Sequence, residues 1–463
     1  MDTKTYEWPT HYIFRLLIVQ WLMSKHRNSK SVDSSLIAAR RAAFEVLRSV
    51  LHKKRALDDA FANTQHYMDL TGPDRGFASF IVRTTLRRLG EIDALIDHCV
   101  PDALPRKARP VRDVLRIGIA QLLFSATAPH AAVSTAVDLC RDVQQVPFAK
   151  LVNAVMRRIQ REGVELLEQM DSARLNTPAW LWDSWVPAYG EATTRAIASM
   201  HLETPPMDLT PKANPEEWAE TLQGRLILGG TIRLTDISDV TSLEGFEDGH
   251  WWVQDAAARL AVTLIDDLQG KSVIDLCAAP GGKTMELLSR GANVTAVDIS
   301  DRRMGRVREN LQRTGYPATL VTEDARTWEP DTQADVVLLD APCSSTGTLR
   351  RHPDIAHLKS LDDVTKLAGI QDQLLDRAAI YLKPGGTLMY VTCSLQPEEG
   401  PARINAFLDR NPAFERIKIQ DTEIPGLVDA ITPEGDLRTL PCFLESDGGM
   451  DGFFVSRMVK KAA

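Results

Sequence analysis

Residues 272–284 read SVIDLCAAPGGKT: a short apolar run stops at Cys277 and passes through Ala278, Ala279, Pro280, Gly281, Gly282 and Lys283 into Thr284 and a helical stretch. An apolar run bounded by Pro and Gly predicts a strand, and the paired glycines let the backbone approach a ligand beside the amides of a helix start. The spacing is neither G-x-G-x-x-G nor G-x-x-x-x-G-K-[ST], which disfavours NAD and ATP as ligands of this loop. Further β-rich runs lie at 293–298, 318–321, 334–340 and 387–392, separated by helical stretches such as 302–314 and 362–382. Near-continuous apolar strands alternating with helices predict an α/β, Rossmann-like domain over residues 266–463, with a parallel sheet covered on both faces. Ligands of such sheets bind beyond the carboxyl ends of the strands, so the strand-end residues are the ones that carry function.

At those ends stand carboxylates and thiols. Asp298 closes the second strand about twenty residues after the loop, where a carboxylate accepts hydrogen bonds from ribose hydroxyls. Asp324, in the sequence EDAR, stands where a carboxylate can reach the adenine edge of a nucleoside pocket. The fourth strand ends in Asp340-Ala-Pro-Cys343 and the fifth in Thr392-Cys393-Ser394, so two thiols project over one sheet edge with Asp340 beside them. A single cysteine usually behaves as a small buried hydrophobe; two at strand ends beside a ligand loop point to chemistry. Arg350, Arg351 and His352 follow on the next loop and are candidates for contacts to an anionic substrate.

Outward from this domain, 463 residues at about 150 per domain give about three domains. Residues 35–165 carry helical periodicity and form an all-α module; residues 166–265 read as a helical linker and a small α+β subdomain; residues 1–34 read as a disordered extension or a mis-assigned start. The net charge of −8 conceals an asymmetry: residues 35–165 hold 20 Lys and Arg against 14 Asp and Glu, whereas residues 166–463 hold 29 against 45. A basic front module is compatible with RNA. Its last helix sets Lys150, Arg157 and Arg161 on one stripe, and Arg83, Arg87 and Arg88 form a second basic cluster. The six cysteines include no C-x-x-C pair, which fits neither zinc nor a dense disulfide framework, so a reducing cytoplasm and no metal are expected. The apolar stretch 12–23 is too short to span a membrane.

The motifs DLCAAPGGKT, AVDIS, DAPCSSTGTLRRHPD, YVTCSLQPEEG and GGMDGFF, occurring in that order, resemble those of the RNA cytosine-5 methyltransferases that use S-adenosylmethionine. The front module, with LRIGIAQLLF and VNAVMRRIQR, is similar to the NusB-like RNA-binding module that precedes the catalytic domain in the 16S ribosomal RNA members of that family. One segment departs: where the family usually reads Leu-Arg-Val-Asn, this chain has Asp208-Leu-Thr-Pro-Lys-Ala-Asn.

The resemblance implies S-adenosylmethionine as cofactor, held by the loop 277–283, Asp298, Asp324, Asp340 and, more weakly, Arg303, which a solvated helix charge would explain as well. It assigns the nucleophile to Cys393 and product release to Cys343, a division that chemistry alone leaves open. Asp340 would contact the cytosine amino group and N3, protonated or sharing a proton, with a raised pKa. The expected partner is RNA, bound by a monomer with no membrane. The alternatives are the same chemistry on transfer RNA or another ribosomal cytosine, and a non-enzymatic RNA-binding assembly factor, which the paired cysteines, Asp340 and the intact loop disfavour.

Overall fold

The computed structural model describes residues 32–100, 104–235, 237 and 239–462. Most of the expected extension 1–34, including the stretch 12–23, lies outside the described residues. The first helix, Val32–Lys53, begins three residues ahead of the boundary expected at residue 35. The chain divides after Thr177 into two compact units.

The first unit is helical throughout. Helices Arg109–Phe124, Pro129–Asp142 and Ala149–Glu168 bury Val114, Ile117, Leu139, Val152, Met156 and Ile159, which recur at helical spacing and so form one apolar face per helix. The opposite face of the last helix leaves Lys150, Arg157 and Arg161 exposed. The second basic cluster has a different fate. Arg87 is buried, Arg88 pairs with Glu91 at 3.2 Å and covers the Phe124 ring, and Arg83 lies over Phe61.

The second unit opens with the Trp-rich helix Ala179–Tyr189 and the helix Glu191–Leu202. A small antiparallel sheet follows, formed by β1 (Met207–Pro211), β2 (Arg225–Ile227), β3 (Thr231–Leu234) and β4 (Trp251–Val253) in the order β2-β3-β1-β4. The large sheet takes β5 (Ser272–Leu276), β6 (Asn293–Val297), β7 (Thr319–Val321), β8 (Ala334–Asp340), β9 (Leu382–Thr392), β10 (Phe414–Arg416), β11 (Leu437–Arg438) and β12 (Phe454–Lys460). Its order is β10-β12-β9-β8-β5-β6-β7, with β11 pairing β12.

From β9 to β7 every pairing is parallel, and the side chains of β5 and β8 are buried on both faces, as their apolar runs require. The sheet is mixed, not wholly parallel as expected, because β12 runs antiparallel to β9 and β10 antiparallel to β12. The sequence signal of β12 was masked by the GGMDGFF motif that leads into it. Strand order reverses at β5, whose neighbours are β6 and β8, and such a switch point opens a crevice at the carboxyl ends of the strands.

The departing segment 208–214 begins inside β1. Asp208 takes both arms of Arg233 on β3 at 2.7 Å, and Arg233 also donates to the Gly449 carbonyl at 2.7 Å. Both partners are nearly inaccessible, so removing one strands a buried charge. Arg233→Ala is expected to cost about 3–5 kcal/mol in urea unfolding; a loss under about 1 kcal/mol would show the pair to be dispensable.

Candidate active site

The turn after β5 needs an unusual backbone. Cys277 has φ +61°, and Gly281, at φ +100°, precedes the helix Gly282–Ser289. A side chain on Gly281 would be strained and would meet Val307 at 3.2 Å. A Cβ on Gly282 would make ordinary van der Waals contact with Gln254 at 3.9 Å.

Asp298 stabilises this turn from β6. Its Oδ2 accepts from the Ala279 amide at 3.2 Å and lies 3.3 Å from Arg303, while its Oδ1 accepts from the Ser300 amide at 2.9 Å. Each carboxylate oxygen has two lone pairs, so capacity for hydroxyl donors remains. Arg303 donates to the Ala279 carbonyl at 2.8 Å and thereby fixes the loop. Ile299, next to Asp298, leaves an apolar side chain exposed. A glycine turn at a helix start, a carboxylate with remaining lone pairs and an exposed apolar side chain together fit a nucleoside cofactor.

Asp324 lies three residues past β7, and both its oxygens are taken by Arg326 at 2.6–3.1 Å. That hydrogen-bonded pairing holds its carboxyl below the usual range.

Asp340, the last residue of β8, accepts from Lys283 at 2.7 Å. Burial opposes the charge on Lys283, but Asp340 outweighs it and holds the ammonium above its ordinary value. The Lys283 ammonium also lies 5.2 Å from the centre of the Phe453 ring, so the terminal motif reaches the site.

The two thiols meet. Cys343 Sγ lies 3.4 Å from Cys393 Sγ. The hydrogen bond from Cys343 lowers the Cys393 pKa against burial and Asp340, with Ser345 and Lys283 assisting; the same bond and burial push Cys343 well up. Cys277 stands apart: burial and the nearby Asp340 and Asp298 raise its thiol and leave it inert.

The terminal motif closes the site from one side. The Gly347 amide donates to the Cys393 carbonyl at 3.0 Å, and the Gly452 amide donates to the Gly347 carbonyl at 2.8 Å. A Cβ on Gly347 would fall 1.8 Å from the Gly452 carbonyl oxygen, so only glycine permits this approach. Of the two arginines read as substrate contacts, Arg350 faces inward, whereas Arg351 stays partly exposed. Arg350 is 1% exposed and pairs with Asp255 and Asp451, and Arg351 pairs with Asp451.

Sequence reasoning passed over three buried acids. Asp255 and Asp451 lie far from the motif cysteines in sequence and show their partners only in the fold. Asp275, inside β5, accepts from Thr284 at 2.6 Å while its other oxygen has no hydrogen-bond partner among the described residues. Among those residues no three His, Cys, Asp or Glu side chains gather as a metal site, and no helix is long and apolar enough to cross a membrane.

Residues 262–459 match the profile of the family described as 16S rRNA methyltransferase RsmB/F, and residues 37–161 match that of the NusB family. Among solved structures, PH0851 superposes with a TM-score of 0.72 at 25% identity, covering 94% of this chain and all of that one. A methyltransferase homolog protein from Pyrococcus horikoshii gives 0.51 at 25% identity over 60% of this chain and 93% of its own. Fold, site and profile define an S-adenosylmethionine-dependent RNA methyltransferase with a NusB-type helical module in front.

The chain belongs to the ribosomal RNA small subunit methyltransferase B family. It is 35% identical over 442 residues to the Cronobacter sakazakii member, covering 92% of this chain and 99% of that protein. It is 34% identical over 456 residues to the Shigella sonnei member, covering 95% and 100%.

Burial raises the Asp275 pKa to about 7, with Asp340 adding to the shift. Its unfolded value is about 3.9, so between about pH 4 and 7 the native state binds the extra proton. Stability therefore falls as pH rises through that window. The urea midpoint is expected to drop from pH 5 to pH 7 by less in Asp275→Asn than in the unaltered protein; equal drops would remove Asp275 as the cause.

Proposed function

We propose that this protein methylates carbon 5 of a cytosine in 16S ribosomal RNA through a transient bond from Cys393 to carbon 6. The observation that carries the reading is the pair of sulfurs 3.4 Å apart beside the Lys283–Asp340 ion pair, at the edge of the sheet where the cofactor loop also lies. S-adenosylmethionine, when bound, supplies an electrophilic methyl group. The residues that would hold it are Cys277, Ala278, Ala279, Pro280, Gly281, Gly282, Lys283, Asp298, Asp324 and Asp340. Arg303 supports the loop.

Carbon 5 of cytosine is too weak a nucleophile to take the methyl group unaided. Addition of the Cys393 thiolate to carbon 6 turns the ring into an enamine with a nucleophilic carbon 5. After transfer, the proton on carbon 5 has to leave before the carbon–sulfur bond can break, and Cys343 serves that release directly or through water. Lys283 occupies one oxygen of Asp340, so the other is assigned to the cytosine amino group and N3, where a shared proton stabilises the charge built up during addition.

The helical module supplies RNA affinity through the exposed stripe Lys150, Arg157 and Arg161. Arg157 also lines a surface groove with His130, Arg141 and Asn153. Phosphate contacts of this kind release counterions and make binding depend on salt.

Two experiments test this reading. Cys343→Ser should transfer the methyl group yet accumulate a denaturant-resistant protein–RNA adduct, and Cys393→Ser should give neither adduct nor product; the reverse pattern overturns the assignment. Replacing Lys150, Arg157 and Arg161 together by Ala should weaken binding to a 16S fragment. It should also reduce the log–log salt slope by about 2, at roughly 0.7–0.9 per lost phosphate contact. An unchanged slope would exclude this face as the RNA anchor.

A further inference from the structure

Bonded to the residues that follow the two thiols is a carboxylate that no step above uses. Glu399 is completely buried. Its Oε1 accepts from the Ser344 amide at 2.9 Å and from Gln371 Nε2 at 3.2 Å. Its Oε2 accepts from the hydroxyls of Ser344 and Ser394, each at 2.5 Å. Ser344 follows Cys343 and Ser394 follows Cys393, so one carboxylate grips the residue after each thiol.

The grip is reinforced around it. The two serine hydroxyls lie 3.1 Å apart, and the Glu399 carbonyl accepts from Tyr390 at 2.9 Å and Thr392 at 3.2 Å. Gln371 also donates to the Pro342 carbonyl at 2.9 Å, which holds the residue before Cys343. Burial raises the Glu399 pKa, and the four donors oppose that shift by favouring its ionised form.

We propose that Glu399 is the positioning residue of the thiol pair: it clamps the two cysteine loops at sulfur–sulfur distance, and its buried charge keeps the shared proton on Cys343 so that Cys393 is the thiolate. The proposal rests on the cysteine roles given above. The charges around the pair are arranged for this outcome. Lys283, Arg351 and Asp340 act on Cys393, and the carboxylate acting on Cys343 is Glu399; the buried guanidinium of Arg438 sits on the Cys393 loop, where it donates to the Ser394 carbonyl. A buried charge is poorly screened, so removing it alters which sulfur holds the proton. No atom of Glu399 needs to touch substrate; it acts through the cysteines.

The test is alkylation of the full-length protein with iodoacetamide, read by peptide mass spectrometry from pH 6 to 10 without RNA or cofactor. The unaltered protein should be labelled mainly at Cys393. Glu399→Gln keeps the shape and removes the charge. It should raise the label at Cys343 relative to Cys393 about tenfold, as a one-unit pKa change would, and should lower kcat for methylation with KM for RNA unchanged. Glu399→Asp, which retains the charge, should restore the preference for Cys393. If Glu399→Gln fails to fold, Ser344→Ala/Ser394→Ala removes both hydroxyl bridges and should likewise erode the preference. A labelling ratio and pH profile identical to those of the unaltered protein, in whichever variant folds, overturns the proposal. Because labelling needs neither substrate, its outcome is separate from the adduct experiment: loss of the adduct pattern with intact Glu399-dependent labelling refutes the cytosine chemistry and leaves the proton arrangement standing.

Discussion

Arg350 holds its guanidinium inside the second unit between Asp255 and Asp451, while Arg351 takes the other oxygen of Asp451 and Arg233 takes Asp208. Three arginines and three aspartates thus bind the small sheet, the start of the helix Ala256–Thr263, the loop after Cys343 and the terminal glycine motif into one body. Buried ions are costly to desolvate, and the arrangement is tolerable because the charges match and further guanidinium donors reach backbone carbonyls of the terminal motif. Arg350 reaches the Gly448 carbonyl at 2.6 Å and Arg233 the Gly449 carbonyl at 2.7 Å. Through Gly452 and Gly347 the same body presses on the carbonyl of Cys393. The thiol geometry therefore depends on residues distributed over some 240 positions of sequence.

On that body the chemistry is divided by charge. Lys283 and Asp340 neutralise each other beside Cys393, and Glu399 stands behind Cys343 with hydroxyl and amide donors but no cation bonded to it. The acidic balance of residues 166–463 is thus partly spent on internal pairing, as with Asp208, Asp255 and Asp451, and partly placed beside the two thiols, as with Asp340 and Glu399. The front unit does the opposite. Its interior arginines, such as Arg87 and Arg88, are absorbed by packing, and the exposed stripe on the helix Ala149–Glu168 keeps its positive charge outward.

How much was legible follows from how each signal is written. The β5 run, the glycine turn and the strand ends at Asp340 and Cys393 are local patterns, and the fold contains them where periodicity put them. The family of the chain was also legible, since its motifs are long and ordered. The small sheet was visible only as an expected α+β subdomain within residues 166–265; β1 ends in Pro211, which suppresses the local signal. The antiparallel partners were missed because β10 is only three residues long and β12 begins inside the terminal motif. Arg350 and Arg351 were read as surface contacts because an arginine beside a motif carries no mark of the aspartate that will pair with it. Glu399 lay inside a quoted motif unnoticed for the same reason.

The sequence by itself determined the parallel strands β5 to β9, the glycine turn after β5 and the thiols and carboxylates at the strand ends, since turn chemistry and apolar periodicity act over a few residues. Only the tertiary structure decided which side chains meet. Fifty residues separate Cys343 from Cys393, and nearly a hundred separate Arg350 from Asp255 and from Asp451. Such pairings are set by how parallel strands align at one edge and by which buried charges must find partners, and neither is encoded in any local stretch of chain.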